Sequence, residues 1–436
     1  MNSGGINLED LLNEVVKKIE STGWKYEMKD MPSSRKIIKF EVPKERDTEM
    51  LSISSGNKEL QSIIESEFEK FRFIKGFEAI WSAENKKIEC EIDSYFNINR
   101  IADIITSDEL CMQSEDDDED NREGREIKLF TIKDIDISIG RSSMEFAVLS
   151  GIKGEMMPVS HVRERRETIK IENININTHD EAIKMLLKIS NSLLFQLNNV
   201  LEMPISLTYE RVSRRRRFMG SVGNYNKDKQ AKITTLKYEY DNEPMSLYIY
   251  AKNTFNSPLN QFLSYYQCIE FYFSVYANIE AKKKIQKILK DPFFDPNVDH
   301  NITKILSAIK YNRSNEIGDE KSQLETVIRS SVDEQDTLKE FIISNDERKE
   351  FYDNNKGKKL SAQNINIKGK NIDIINEVAE RIYDIRCRIV HKKANGDSGG
   401  LILPYSNEIK LLKHDIDIIE YIARNVLIVN SRSINI

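Results

Sequence analysis

Hydrophobic positions along this chain follow two spacings, and the balance between them changes near Pro258. Before that residue, strand-like alternation and helical periodicity are mixed. LEDLLNEVVKKIES (8–21) predicts an amphipathic helix, whereas KIIKFEVP (36–43), EAIWSA (78–83) and KIECEIDSYF (87–96) predict strands. A helical stretch, NKELQSIIESEFEKFRFI, separates the first two strands. Further strands are predicted at IKLFTIKDIDISIG (127–140), MEFAVLSGI (144–152) and MSLYIYAK (245–252). Residues 179–202 predict a helix with Ala182, Met185, Leu186, Ile189, Leu193 and Leu194 as its apolar positions. Beyond Pro258 the pattern is almost wholly helical. The expected fold class is therefore α+β, a mixed N-terminal region followed by an all-α helical bundle.

Polar punctuation suggests the boundaries. SEDDDEDNREGRE (114–126) has no apolar residue and predicts an acidic loop or hinge between an N-terminal α+β domain (1–113) and a β-rich middle region (127–254). The remainder, 255–436, is the expected helical domain. A second interruption, 211–232, contains the run Arg214–Arg217, which suits either a solvated loop or a phosphate contact.

Three helices of the last third have strong periodicity. LNQFLSYYQCIEFYFSVY places Leu259, Phe262, Leu263, Tyr266, Ile269, Phe273 and Tyr276 on one face. IINEVAERIYDIRCRIVHKK does the same with Ile375, Val378, Ala379, Ile382, Ile385 and Ile389. LLKHDIDIIEYIARNVLIV does so with Leu412, Ile416, Ile419, Ala423 and Val426. At about 100° per residue, Arg386 falls within about 50° of the second stripe's centre, and Glu270 lies amid the first. A buried guanidinium is costly unless paired, so Glu270 and Arg386 are expected to meet. The pair serves either as a register-fixing ion pair or as an acid that orients a catalytic arginine.

Composition narrows the chemistry. Hydrophobic residues make up 39% of the 436 and charged residues 31%, which suits globular cores under a polar surface. No apolar run is long enough to cross a membrane, and the first residues lack a secretory pattern, so a cytoplasmic protein is expected. Sixty-five basic against seventy-one acidic residues give a net charge of −6, which excludes a wholly basic nucleic-acid wrapper but not a local patch. The four cysteines have no CxxC spacing and the five histidines no HExxH, so no metal site is expected. Neither GxxxxGK[ST] nor GxGxxG occurs, so no nucleotide-type cofactor is expected either.

RIYDIRCRIVHKK contains Arg386-Cys387-Arg388-Ile389-Val390-His391, which resembles the Rx4–6H signature of the HEPN family of ribonucleases and nucleotide-binding modules. SPLNQFLSYYQCIEFYF is similar to the opening helix of HEPN domains in bacterial anti-phage, abortive-infection proteins. The resemblance spans the two ends of 255–436. It implies a metal-independent, toxin-like endoribonuclease of antiviral defence that leaves a 2′,3′-cyclic phosphate and a 5′-hydroxyl. His391 would move protons at the ribose 2′-hydroxyl, and Arg386 would stabilise the phosphorane. Glu270 and Cys387 would support them, and Arg388, Lys392 and Lys393 would hold flanking phosphates. It implies RNA as substrate, with tRNA among the candidates, a homodimer with two facing motifs, and a phage-derived trigger read by the N-terminal region. Cys387 departs from the pattern, where a polar residue usually follows the arginine, because a thiol is a poor donor and acceptor. That departure keeps a second reading open, a non-catalytic HEPN-like module that dimerises or binds nucleotide.

Overall fold

The computed structural model of the chain describes residues 8–30, 36–54, 60–94, 127–151, 166–200, 204–210, 235–310, 319–332, 335–354, 356–368, 373–390, 400–404 and 406–435. The acidic segment 114–126, the run Arg214–Arg217, and His391, Lys392 and Lys393 lie outside these residues. The fold is α+β. It divides into two compact units, Met1–Glu239 with Ile434–Ile436, and Tyr240–Ser433. The division falls after residue 239 rather than after residue 254.

The first unit is built on one mixed sheet. Its strands are β1 (Tyr26–Asp30), β2 (Lys36–Lys44), β3 (Asp47–Ser54), β4 (Arg72–Phe73), β5 (Ala79–Ser82), β6 (Lys87–Ser94), β7 (Ile127–Ile132), β8 (Ile135–Arg141), β9 (Glu167–Glu172) and β10 (Ile205–Leu207). The main path runs β1-β2-β4-β5-β6-β9-β8-β7, with β3 on β2 and β10 on β6. Strands from both sides of the acidic segment thus join one sheet, with β6 pairing antiparallel to β9 from Lys87↔Glu172 to Glu91↔Thr168. The strands of regions 1–113 and 127–254 therefore belong to one sheet within one unit rather than to separate domains.

Period-2 burial in β2 turns Ile38, Phe40 and Val42 inward. They meet helix α1 (Leu8–Ser21) through Leu12, Val15 and Ile19. Trp24 stacks on Phe40 with centroids 6.1 Å apart. The short helix α2 (Leu60–Glu65) packs on α1.

Two predicted strands are helices. MEFAVLSG forms α3 (Met144–Gly151), in which Phe146, Val148 and Leu149 are all buried. A short run with apolar residues on both its buried and its exposed sides, such as Phe146 and Met144, has no clear period to distinguish helix from strand. The segment 127–140 is a hairpin rather than one strand, turning at Lys133 and Asp134, both with positive φ (45° and 72°). Helix α4 (His179–Val200) matches the predicted helix closely.

The second unit is mainly helical: α5 (Asn242–Asn253), α6 (Pro258–Glu270), α7 (Phe273–Leu289), α8 (Asp299–Lys310), α9 (Asp319–Ser331), α10 (Gln335–Ile343), α11 (Asp346–Asp353), α12 (Ile374–Val390) and α13 (Lys413–Val429). Helix α5 replaces the predicted strand 245–252. Asp241 occupies its N-cap position, Pro244 sits in its first turn, and Met245, Tyr248 and Ile249 are buried at helical spacing. The predicted single helix 259–276 is two helices. It breaks at Phe271 and Tyr272, which leaves Glu270 at the end of α6. Helix α6 packs on α5 and α13, and α9 packs on α12, α7 and α13.

Candidate active site

Helix α12 carries three arginines with separate fates. Its buried flank is set by Ile375, Val378, Ile382 and Ile385, all nearly inaccessible. Arg381 and Arg388, seven residues apart, share one edge of that flank, and Arg386 lies on the other.

Arg381 is the buried cation of the helix, at 0% exposure. Its Nε donates to Asp415 Oδ1 at 2.6 Å and its Nη2 to Asp415 Oδ2 at 2.9 Å, a bidentate fork. Its Nη1 donates to the carbonyls of Gln363 (2.7 Å) and Gly357 (3.2 Å), and Tyr352 Oη donates to Asp415 Oδ1 at 3.0 Å. Burial alone would lower the Arg381 pKa, but the Asp415 charge and hydrogen bonds outweigh it and hold the guanidinium charged.

Arg388 is also turned inward. Its Nε and Nη2 donate to the Gly400 carbonyl at 3.1 and 3.0 Å, and its Nη1 donates to the carbonyls of Lys359 and Leu360. Only 8% of the residue is exposed. The expectation that Arg388 contacts RNA is therefore corrected, because a guanidinium committed to three backbone carbonyls ties down a loop instead.

Arg386 remains partly open, with 20% of its side chain exposed, and lies near the solvent end of α12. Its Nη2 pairs with Glu320 Oε1 at 3.0 Å. Tyr266 Oη donates to the same oxygen at 2.8 Å, and the Arg386 guanidinium lies 5.5 Å from the Tyr266 ring centroid. One carboxylate thus bridges a phenol and a guanidinium that also touch each other. Burial tends to lower the Arg386 pKa and Glu320 more than restores it. Burial and the hydrogen bond to Glu320 push the Tyr266 phenol up.

Glu320 stands at the start of α9, where it is delivered to the C-terminal part of α12 by antiparallel packing. Lys321 pairs with Glu380 at 2.7 Å, and at the far end Arg329 pairs with Asp373. Glu320, not Glu270, thus pairs with the arginine. Glu270 is half-buried at the end of α6. Burial first and the nearby Glu320 charge second raise its pKa, with Arg386 partly offsetting both. The expected Glu270–Arg386 bridge is therefore replaced by a field contact, because α6 ends at Glu270 and α9 supplies the closer carboxylate. Cys387 is partly exposed, and Tyr383, one turn before it, is pushed up to about 12 by burial and by the adjacent thiol. His391, Lys392 and Lys393 belong to the same sequence motif but lie outside the described residues.

Periodicity points to Arg386 and misses Arg381, Asp415, Glu320 and Tyr266 in these roles. The available signal for Arg381 was its seven-residue spacing from Arg388. For Glu320 it was the acid opening DEKSQLETVI, whose Leu324, Val327 and Ile328 are buried.

Among the described residues, one trio brings possible metal ligands together: Glu45, His179 and Asp180, within 4.8 Å. His179 Nε2 accepts from the Lys75 amide at 3.0 Å, and Lys75 Nζ pairs with Glu45 at 3.0 Å. Lys75 thus engages two of the three candidate ligands, Glu45 through its ammonium and His179 through its amide. Among the described residues no helix is long and apolar enough to cross a membrane. Compared with family models, curated proteins and solved structures, the chain matches none.

Proposed function

We propose that the helical unit is a metal-independent RNA endonuclease of the HEPN type acting in antiviral defence, with Arg386 and His391 as its catalytic residues. The observation that carries this reading is the position of Arg386. It is the α12 arginine that reaches the surface, held by Glu320 and Tyr266, and it precedes His391 by five residues in the Rx4H motif. Burial of Arg381 and Arg388 in structural contacts removes the two competing arginines of that helix.

Cleavage proceeds by attack of the ribose 2′-oxygen on phosphorus, with expulsion of the 5′-oxygen. His391 takes the 2′-hydroxyl proton or supplies one to the leaving oxygen, and Arg386 balances the negative charge that builds on the phosphorane. A carboxylate and a phosphate offer a guanidinium the same paired oxygens. Substrate therefore competes with Glu320 for Arg386, and Glu320 acts as a positioning residue. Base and acid roles call for two imidazoles, which a homodimer with two facing motifs supplies. The N-terminal unit then senses the trigger.

The second reading, a module that dimerises or binds nucleotide without cleaving, is favoured by Cys387 at the usual polar position. The experiment that separates the two is incubation of the pure chain with total RNA and tRNA in EDTA, followed by end mapping. Products with 2′,3′-cyclic phosphate and 5′-hydroxyl ends support the nuclease. Intact RNA, or cleavage that needs a divalent ion, contradicts it.

A further inference from the structure

Away from Arg386, the α7–α8 hairpin encloses an open cleft of about 680 Å³. Four lysines line it: Lys283, Lys287 and Lys290 from α7 and its end, and Lys304 from α8. The first three recur at i, i+4 and i+7, which puts them on one helix face spanning about 10 Å. All four are exposed, and among the described residues none of them forms an ion pair. Asp291 is the single acidic residue in the lining, and its Oδ1 accepts from the Phe293 amide at 3.0 Å.

Phe294 lines the cleft, and the adjacent Phe293 is 90% exposed, the most exposed large apolar residue described. Four unneutralised ammonium groups facing one cleft repel one another, and they do so in a protein whose net charge is −6. A row of positive charges with a bare aromatic residue at the rim, next in sequence to the lining Phe294, suits a single nucleic-acid strand, backbone on the lysines and base on the ring.

We propose that this cleft binds a single RNA strand, with Lys283, Lys287, Lys290 and Lys304 contacting phosphates and Phe293 stacking on a base. The inference rests on RNA being the substrate, but it concerns a surface separate from the Arg386 site. Helix α7 begins three residues after Glu270, and at about 1.5 Å per residue its lysines lie about 15–25 Å further along. The cleft is thus an exosite that tethers the strand several nucleotides from the scissile bond.

The test uses the full chain and a fluorescein-labelled 2′-O-methyl 20-mer, which cannot be cleaved because its 2′-oxygen is blocked. Anisotropy titrations across a salt series give the slope of log K against log salt. Each lost phosphate contact flattens that slope by about 0.7 for a single strand. The triple variant K283Q/K287Q/K290Q is expected to flatten it by about 2, and Phe293→Ala to weaken binding about tenfold with the slope unchanged. Phe293→Trp should restore the affinity.

An unchanged slope and affinity in the triple variant overturns the proposal. So does displacement by polyglutamate as effective as by RNA with Phe293→Ala silent, which marks a general anion surface. Cleavage of unmodified RNA is read in parallel. Lysine-dependent binding without any cleavage keeps the exosite and defeats the nuclease, whereas cleavage with lysine-independent binding does the reverse.

Discussion

Arg381 and Arg386 sit on the same helix five residues apart, yet one is a structural strut and the other keeps part of its side chain in solvent. Arg381 has no exposed surface and gives its donors to Asp415, Gly357 and Gln363. Arg386 keeps 20% of its side chain exposed and shares one carboxylate with a tyrosine. Both charges are paired, so pairing alone does not mark function. What separates them is whether a ligand's oxygens could reach the guanidinium without unfolding the helix around it.

The largest effect should come from breaking the strut. Arg381→Met leaves Asp415 buried without its cation and should destabilise the helical unit by roughly 3–5 kcal/mol, read as a lower urea midpoint. Adding Asp415→Leu should recover most of that loss, since an apolar pair needs no desolvation. If the single variant unfolds like the wild type, the contrast between the two arginines fails at its structural end.

A milder break approaches the same group from outside. A Cβ at Gly357 would stand 2.8 Å from Arg381 Nη2 and 3.1 Å from the Phe351 ring. The guanidinium would have to leave its carbonyl. Gly357→Ala should therefore cost about 1–3 kcal/mol despite adding one methyl group. A neutral result would mean that the guanidinium has room to move.

Part of the first unit is legible in the sequence, where one hydrophobic period holds over a whole element. Helix α1 and strand β2 begin where their patterns begin. MEFAVLSG and MSLYIYAK are not legible, because apolar residues also stand on their exposed sides, Met144 in the first and Tyr250 in the second, and blur the period. At the candidate site, the wheel anticipated an acidic partner for Arg386 but assigned it to Glu270 rather than Glu320. Glu320 was not legible, since the contact joins residues 66 positions apart (386 − 320) across a helix packing that periodicity does not specify. Arg388 shows the opposite failure, a cation near a motif that instead serves backbone carbonyls.

The smallest effect concerns Glu270. Its carboxyl is held above the ordinary range, chiefly by burial and then by Glu320. The folded chain thus binds that proton more tightly than the unfolded chain does. Ionisation therefore costs stability, and the cost appears as pH rises from about 4.3 through the raised folded value. Glu270→Gln should match the wild type in acid and be slightly more stable at neutral pH. A stabilisation that instead vanishes as pH rises would reverse the assigned direction.

The most direct measurement compares Arg386→Ala with the wild type in two readouts, thermal unfolding and cleavage of RNA in EDTA. An ion pair that keeps part of each side chain in solvent is worth about 1 kcal/mol, so the melting temperature should move by a few degrees at most. Cleavage should fall about 100-fold or more, as when a group that stabilises transition-state charge is removed, and His391→Ala should match it. Wild-type cleavage by a folded Arg386→Ala protein would contradict the assignment of Arg386 to the chemistry.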